Sequence, residues 1–359
     1  MTTSFPSLPP RRESYTLSIL VFVLGFVIVA TAIHLLIPNP LRLYADMRSE
    51  KIELLDGWKG GVYAAAFGSS HVNDGFDPRA FDDVLAATER RTPSINLGIE
   101  GGSQTEQRAI ALEFLRHFSA SGAPEHQPCF VMLELNAGAN FTADHLVHPR
   151  AINIYDWETT KFVSGLSASG LSRFQKAGRD GYALTAMAMH YSNVGMLSNA
   201  ILRPPIDQKL YDEETADGRS GLHDLSSADA IPVEAAEKID PAIKPVAVPQ
   251  ALSQGNRHLV DELAAAARNP NLHFVYFVTP LYDNLRKFPD YPSTIQTNVG
   301  IVPIFNLARP DLYPQLFEPK YWHDPAHLNG DGAALASRIL AGQLKAWNAT
   351  HHWDQTCGG

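Results

Sequence analysis

Cysteine is scarce in this chain. Its 359 residues hold two, Cys129 and Cys357, too few for a disulfide framework. Cys129 stands in an apolar run as a small core residue, and Cys357 stands in a Gly-ending tail, so no bridge between them is expected. Positive charge is also short: 29 Lys and Arg face 38 Asp and Glu, for a net charge of -9. With no long basic run, nucleic acid is excluded as the main partner. Internal repeats are missing, and so are long apolar runs, with one exception. What remains is 45% apolar, enough to bury the core of one large domain or two small ones.

The exception is Tyr15 to Ile37, YTLSILVFVLGFVIVATAIHLLI, which carries no charged residue. A run of this length can span a bilayer with some tilt, and it exceeds the apolar core of a typical signal peptide. Ala30-Thr31-Ala32 looks like a cleavage site, but apolar residues follow it at once, so an uncleaved signal-anchor is expected over 15–37. Arg11 and Arg12 precede the segment, while Arg42, Arg48 and Lys51 follow it. The charge count therefore does not set the orientation. Residues 1–14 form a polar tail and 38–60 a juxtamembrane connection, opened by the helix-breaking Pro38-Asn39-Pro40.

From Gly61 the pattern alternates. Short apolar runs at Val62–Phe67, Ser94–Ile99, Cys129–Leu135, Leu272–Val278 and Val302–Asn306 predict strands. Helical spacing marks Pro78–Glu89 behind Asp77, then Thr105–Phe118, His258–Arg268 and Gly332–Trp347, the last capped by Asn329 or Asp331. Such alternation predicts an α/β fold with a mainly parallel sheet covered on both faces. Its ligands would gather at the C-terminal strand ends, near Gly68, Gly101 and Asn136. The alternation lapses over about 141–254. There 157–200 reads as helical, with Met187, Met189, Tyr191, Val194 and Met196 as its apolar face. Residues 205–250 read as an acidic, Pro-rich surface excursion. This insertion suits a lid or partner surface, or a helical pair packed on the core. A domain over 61–347 and a tail over 348–359 complete the organisation.

Two stretches could carry chemistry. Phe67-Gly68-Ser69-Ser70-His71 puts serines just past a strand, where a tight turn exposes a hydroxyl beside backbone N–H groups. Alternation sends Ser69 and Ser70 to opposite sides, and pattern alone does not choose between them. His323-Asp324-Pro325-Ala326-His327-Leu328-Asn329 puts a carboxylate three residues before an imidazole, ahead of the final helix. In a turn, Asp324 can hold one ring nitrogen of His327 and leave the other for a serine. His323 and His327 also have a metal-like spacing, but Asp324 and Pro325 fit a zinc helix poorly. A G-x-S-x-G elbow is absent; Gly165-Leu166-Ser167-Ala168-Ser169 lacks the closing glycine. The remaining histidines, His145, His148, His351 and His352, read as solvated, and Tyr155, Trp157 and Trp322 as core aromatics that could instead line a sugar cleft.

The order Ser, Gly, Asn, Asp-x-x-His resembles the SGNH (GDSL-like) hydrolase superfamily. Gly68-Ser69-Ser70 aligns with its first block, which makes Ser70 the implied nucleophile. Asn96-Leu97-Gly98-Ile99-Glu100-Gly101 looks like its second, giving Gly101 an oxyanion role. Leu133-Glu134-Leu135-Asn136 matches the third loosely, implying Asn136, with Asn140 as substitute. Asp324-Pro325-Ala326-His327-Leu328-Asn329 matches the last block. Ser69 stands where the family has Asp, and no Asp follows Asn136. A Gly-Ser-Ser start behind an anchor is similar to the membrane-anchored acyl-transfer branch, of the teichoic-acid D-alanylation and exopolysaccharide O-acetylation type.

The resemblance implies a flavodoxin-like three-layer α/β/α domain outside the cytoplasm and a Ser70–His327–Asp324 triad. Ser70 N–H, Gly101 N–H and the Asn136 amide would form the oxyanion hole. It implies an O-acyltransferase or esterase on envelope or extracellular glycans, without metal or cofactor. Its partners would be an acyl donor, a glycan or other hydroxyl acceptor, and a multi-pass membrane O-acyltransferase that delivers the acyl group. The rival expectation is a noncatalytic envelope scaffold that binds glycan or such a partner.

Overall fold

The computed structural model describes residues 13–36, 51–58, 60–85, 93–121, 128–135, 154–166, 172–192, 244–267, 269 and 271–353. Its centre is a six-stranded sheet in the order β2-β1-β3-β5-β8-β7. The strands are β1 Ala64–Phe67, β2 Ile95–Asn96, β3 Phe130–Glu134, β5 His273–Val278, β7 Thr294–Thr297 and β8 Gly300–Asn306. The first five in that order pair in parallel, and β7 closes the edge antiparallel to β8. An α/β fold with a mainly parallel sheet is what the alternation predicted.

The strands are apolar throughout because both faces are covered. Ala65, Phe67, Val131, Leu133 and Tyr276 belong to one buried cluster. That cluster also takes in the helices Gln104–Ser121 and Gln254–Ala267. Ala64, Ala66, Phe130, Met132, Val275 and Phe277 belong to the other, which includes Phe81 of the helix Pro78–Leu85 and Leu340 and Leu344 of the last helix. In chain order the helices are α1 Glu13–Leu36, α2 Ser70–Asn73, α3 Pro78–Leu85, α4 Gln104–Ser121, α5 Trp157–Gly165, α6 Arg173–Ser192, α7 Gln254–Ala267 and α8 Gly330–His351. As expected, Asp77 caps α3, its Oδ1 accepting from Arg79 N–H at 2.9 Å and Ala80 N–H at 3.2 Å. Asn329, not Asp331, caps α8.

Several expectations change. The juxtamembrane stretch is not merely a connection, because 51–57 is helical and Leu55 lies in the core. The tail is not loose where it is described. α8 runs on to His351, and Trp353 stacks on His273 with ring centroids 4.5 Å apart. His351 is exposed, as expected, and stacks on Trp347 at 3.7 Å. In α6 the buried positions are Arg179, Ala183 and Ala186, with Met189 packed against the same core cluster as the two alanines, whereas Tyr191 is exposed. Val194 and Met196 lie outside the described residues, as do His145, His148 and Cys357. Tyr155 and Trp322 are buried core residues and Trp157 is half exposed.

The Pro-rich excursion ends in a strand. β4, Val246–Pro249, pairs in parallel with β6, Lys287–Asp290, as a separate two-stranded ribbon. Each carries a proline, which an edge pairing tolerates and which hides the strand from its pattern. At the N-terminus, α1 is a 24-residue helix. Its side chains are described only from Tyr15 to Val29 and at Ala32. Among the described residues no helix is long and apolar enough to cross a membrane.

Candidate active site

The parallel strands deliver their C-terminal ends to one edge of the sheet. β1 ends at Phe67, and Gly68 turns the chain into α2, which starts at Ser70. A Cβ on Gly68 would collide with Val72 and Glu134, so this close approach admits only glycine. Ser69 caps α2, its Oγ accepting from His71 N–H at 3.3 Å. Ser70 is thus turned the other way, towards the loop before α8.

That loop is a tight side-chain-braced turn. Asp324 Oδ1 accepts from Ala326 N–H at 2.7 Å and from His327 N–H at 2.8 Å. Tyr282 N–H donates to Pro325 O at 3.0 Å, tying the turn to the segment after β5. Trp322 fixes the other side: it is fully buried and donates from Nε1 to Leu316 O at 3.0 Å. Asn329 Nδ2 donates to Lys320 O at 2.8 Å.

The two braced turns meet. His327 Nε2 lies 2.9 Å from Ser70 Oγ, and His327 Nδ1 lies 2.8 Å from Asp324 Oδ2. With Nδ1–H donated to Asp324, the Nε2 lone pair accepts from the Ser70 hydroxyl. Burial would raise the Asp324 carboxyl. The His327 ring and the Ala326 and His327 N–H groups hold it below the ordinary carboxylate value instead. Such an arrangement can take a proton from the serine oxygen and stabilise the imidazolium that results.

Gly101 lies in the turn from Ile99 to Gly102, which is tied to Gly68. Ile99 N–H donates to Gly68 O at 3.0 Å and Gly102 N–H to Ile99 O at 2.7 Å. Gly101 has φ of 56°, in the left-handed region where glycine is favoured. Asn136 and Asn140 lie outside the described residues. His323 N–H donates to His327 O at 2.9 Å, and its buried Nδ1 has no partner. Among the described residues no group of His, Cys, Asp and Glu could hold a metal ion.

Sequence reasoning gave no role to Asn96 and Glu134, which build the frame. Asn96 is fully buried, and its Nδ2 donates to Val72 O at 2.7 Å and Phe76 O at 2.8 Å. Its Oδ1 accepts from Gly98 N–H at 2.9 Å. One side chain therefore fastens the Ser70 helix to the glycine loop. Glu134, at the end of β3, is the anchor on the other flank. It accepts from Ser69 N–H at 2.7 Å, from the Thr279 hydroxyl at 2.8 Å and from His71 Nδ1 at 3.2 Å. The readable signal was a glutamate closing a wholly apolar strand, which needs partners to be buried.

Burial would raise Glu134, but the His71 ring, the Ser69 N–H and the Thr279 hydroxyl hold its pKa below 4.5. For His71 burial acts downward, and Glu134, with Asp74 and Glu100 nearby, more than offsets it, lifting the imidazole above 6.5. The signs define a window. The Glu134 contribution to stability is full above about 4.5 and is lost as pH falls through its lowered pKa. The His71 contribution is full below about 6.5 and is lost as pH rises through its raised pKa. Urea midpoints for wild type minus His71→Gln should therefore differ most near pH 5.5. The difference should shrink on both sides, and a flat profile would mean that the pair is not ionic.

Compared with known proteins, the chain matches no family model, no curated protein and no solved structure.

Proposed function

We propose that this chain is a membrane-anchored serine acyl-ester enzyme of the SGNH type, with a flavodoxin-like α/β/α domain. In this reading it acts as an O-acyltransferase or esterase on glycans outside the cytoplasm. One observation carries the reading: Ser70, His327 and Asp324, far apart in the chain, share a continuous hydrogen-bonded line at the edge of a parallel sheet.

In the proposed reaction the Ser70 Oγ attacks the acyl carbon of the donor ester as its proton passes to His327 Nε2. The ester C–O bond breaks, and the leaving alcohol oxygen takes that proton. Water or a glycan hydroxyl then attacks the Ser70 ester, giving its proton to His327, and Oγ recovers it as the C–Oγ bond breaks. Ser70 N–H, Gly101 N–H and the Asn136 amide are the proposed donors to the oxyanion. The anchor reading is supported by α1, whose described side chains from Tyr15 to Val29 are all exposed and, Phe22 among them, mainly apolar. A lipid-facing helix needs such a surface. A membrane O-acyltransferase remains the partner this reading calls for in the transferase case.

The test is covalent labelling with a fluorophosphonate probe, followed by peptide mass analysis. Modification at Ser70 is expected. A folded protein that is never labelled at Ser70 would remove the enzyme reading and leave a noncatalytic scaffold.

A further inference from the structure

Next to the triad, on the side of the β4–β6 ribbon, lies a cavity of about 280 Å³. One wall is the His71–Glu134 pair, and the others include Val248 and Gln250 of the ribbon flank, Leu281 and Tyr291. His71 follows the Ser70 nucleophile directly in the chain, and its ring centroid is 5.5 Å from that of His327. The cavity is therefore walled by the residue that follows the reacting serine, a second carboxylate-braced imidazole one ring's distance from His327. The proposed reaction has no use for that imidazole.

We infer that this cavity seats the sugar ring whose hydroxyl gives or receives the acyl group, with His71 donating a hydrogen bond to one of the sugar oxygens. This rests on the serine acyl-ester reading. Three features favour a sugar over the acyl chain. The volume lies just below the roughly 300–1,000 Å³ usual for ligand pockets, room for a single ring. The wall nearest Ser70 is an ion pair, against which an apolar acyl group would strand buried charge. The remaining walls mix the Tyr291 ring and aliphatic groups with the Gln250 amide, which suits a hydroxyl-rich ring.

His71 is built for a fixed donor. Glu134 holds its Nδ1 at 3.2 Å and Ser69 Oγ lies 3.3 Å from the same atom, so Nε2 is the nitrogen left for a ligand. Glu134, Asp74 and Glu100 all favour the protonated ring. In the transfer step the sugar oxygen attacks the acyl carbon on Ser70, its proton passes to His327, and His71 exchanges none.

The experiment follows the acetyl group from p-nitrophenyl acetate with methyl glucopyranoside, galactopyranoside or mannopyranoside present, and with methanol at equal concentration. Wild type should transfer acetyl to at least one pyranoside in a saturable manner that methanol does not share. Val248→Trp narrows the cavity from the ribbon side with His71 and Glu134 themselves unchanged, and His71→Ala removes the donor. Each should cut the transfer-to-hydrolysis ratio about tenfold or more, and in Val248→Trp, which leaves the Glu134 frame intact, the rate of fluorophosphonate labelling at Ser70 should stay within about threefold of wild type. A labelled wild type that favours no pyranoside over methanol overturns the subsite. So does a fall in labelling that matches the fall in transfer in Val248→Trp. An unlabelled wild type would instead sink the enzyme reading beneath it.

Discussion

Ser70→Ala is expected to lower p-nitrophenyl acetate turnover by about ten-thousand-fold or more, leaving the melting temperature within about 3 °C of wild type. The loss should be large because the proposed nucleophile is gone and what remains of the site can do no more than orient water. The fold should be indifferent for a local reason. The hydrogen bond of Ser70 Oγ is to His327 Nε2, while the Ser70 carbonyl, which alanine keeps, accepts from Asp74 N–H at 2.8 Å. The capping and anchoring bonds of the turn belong to Ser69. Equal turnover in the variant would end the nucleophile assignment, and Ser69→Ala is the matching control, expected to cost stability through the lost cap.

Asp324→Asn should cost activity on a similar scale, about ten-thousand-fold in kcat, with little unfolding. Asparagine keeps an oxygen able to accept from the Ala326 and His327 N–H groups, so the turn can survive. Its amide would face His327 Nδ1 with a donor. The ring would then carry its proton on Nε2, the nitrogen that must accept from Ser70. The charge that steadies the imidazolium would also be gone. Stopped-flow or steady-state turnover of the same ester measures this directly. A variant within about tenfold of wild type would show that Asp324 does no more than shape the turn.

The parts of the fold that were legible share one property: each side chain there reports a large, local difference in environment. The apolar runs at β1, β3 and β5 are continuous because both sheet faces are covered, and the α3 and α8 starts announce themselves through Asp77 and Asn329. β2 was read too long, since only Ile95 and Asn96 pair. Leu97 and Ile99 still donate to the β1 side, to Ala66 O at 2.8 Å and Gly68 O at 3.0 Å, but between them Gly98 N–H turns to Asn96 Oδ1 at 2.9 Å and regular pairing ends. β4 and β6 escaped notice because Val246–Pro249 and Lys287–Asp290 are short, Pro-bearing and partly exposed. Pairing between two such segments is a long-range event that neither announces alone.

For the site, the sequence by itself determined the chemical inventory: a serine pair behind a strand, a glycine loop, and an Asp-x-x-His turn before the last helix. Turn chemistry and strand ends are written locally, and they placed all three at one edge of a parallel sheet. Pattern alone left the two serines open and only the resemblance pointed to Ser70; which one faces the histidine is visible in three dimensions. Ser69 is claimed by the helix cap and by Glu134, and that leaves Ser70 to His327. The Glu134–His71–Thr279 frame and the cavity beside it were likewise beyond the sequence. Their members come from β3, α2, the end of β5 and the β4–β6 ribbon, and the Glu134–Thr279 bond alone spans 145 residues of chain. Only burial in a common space makes a glutamate in an apolar strand need those partners.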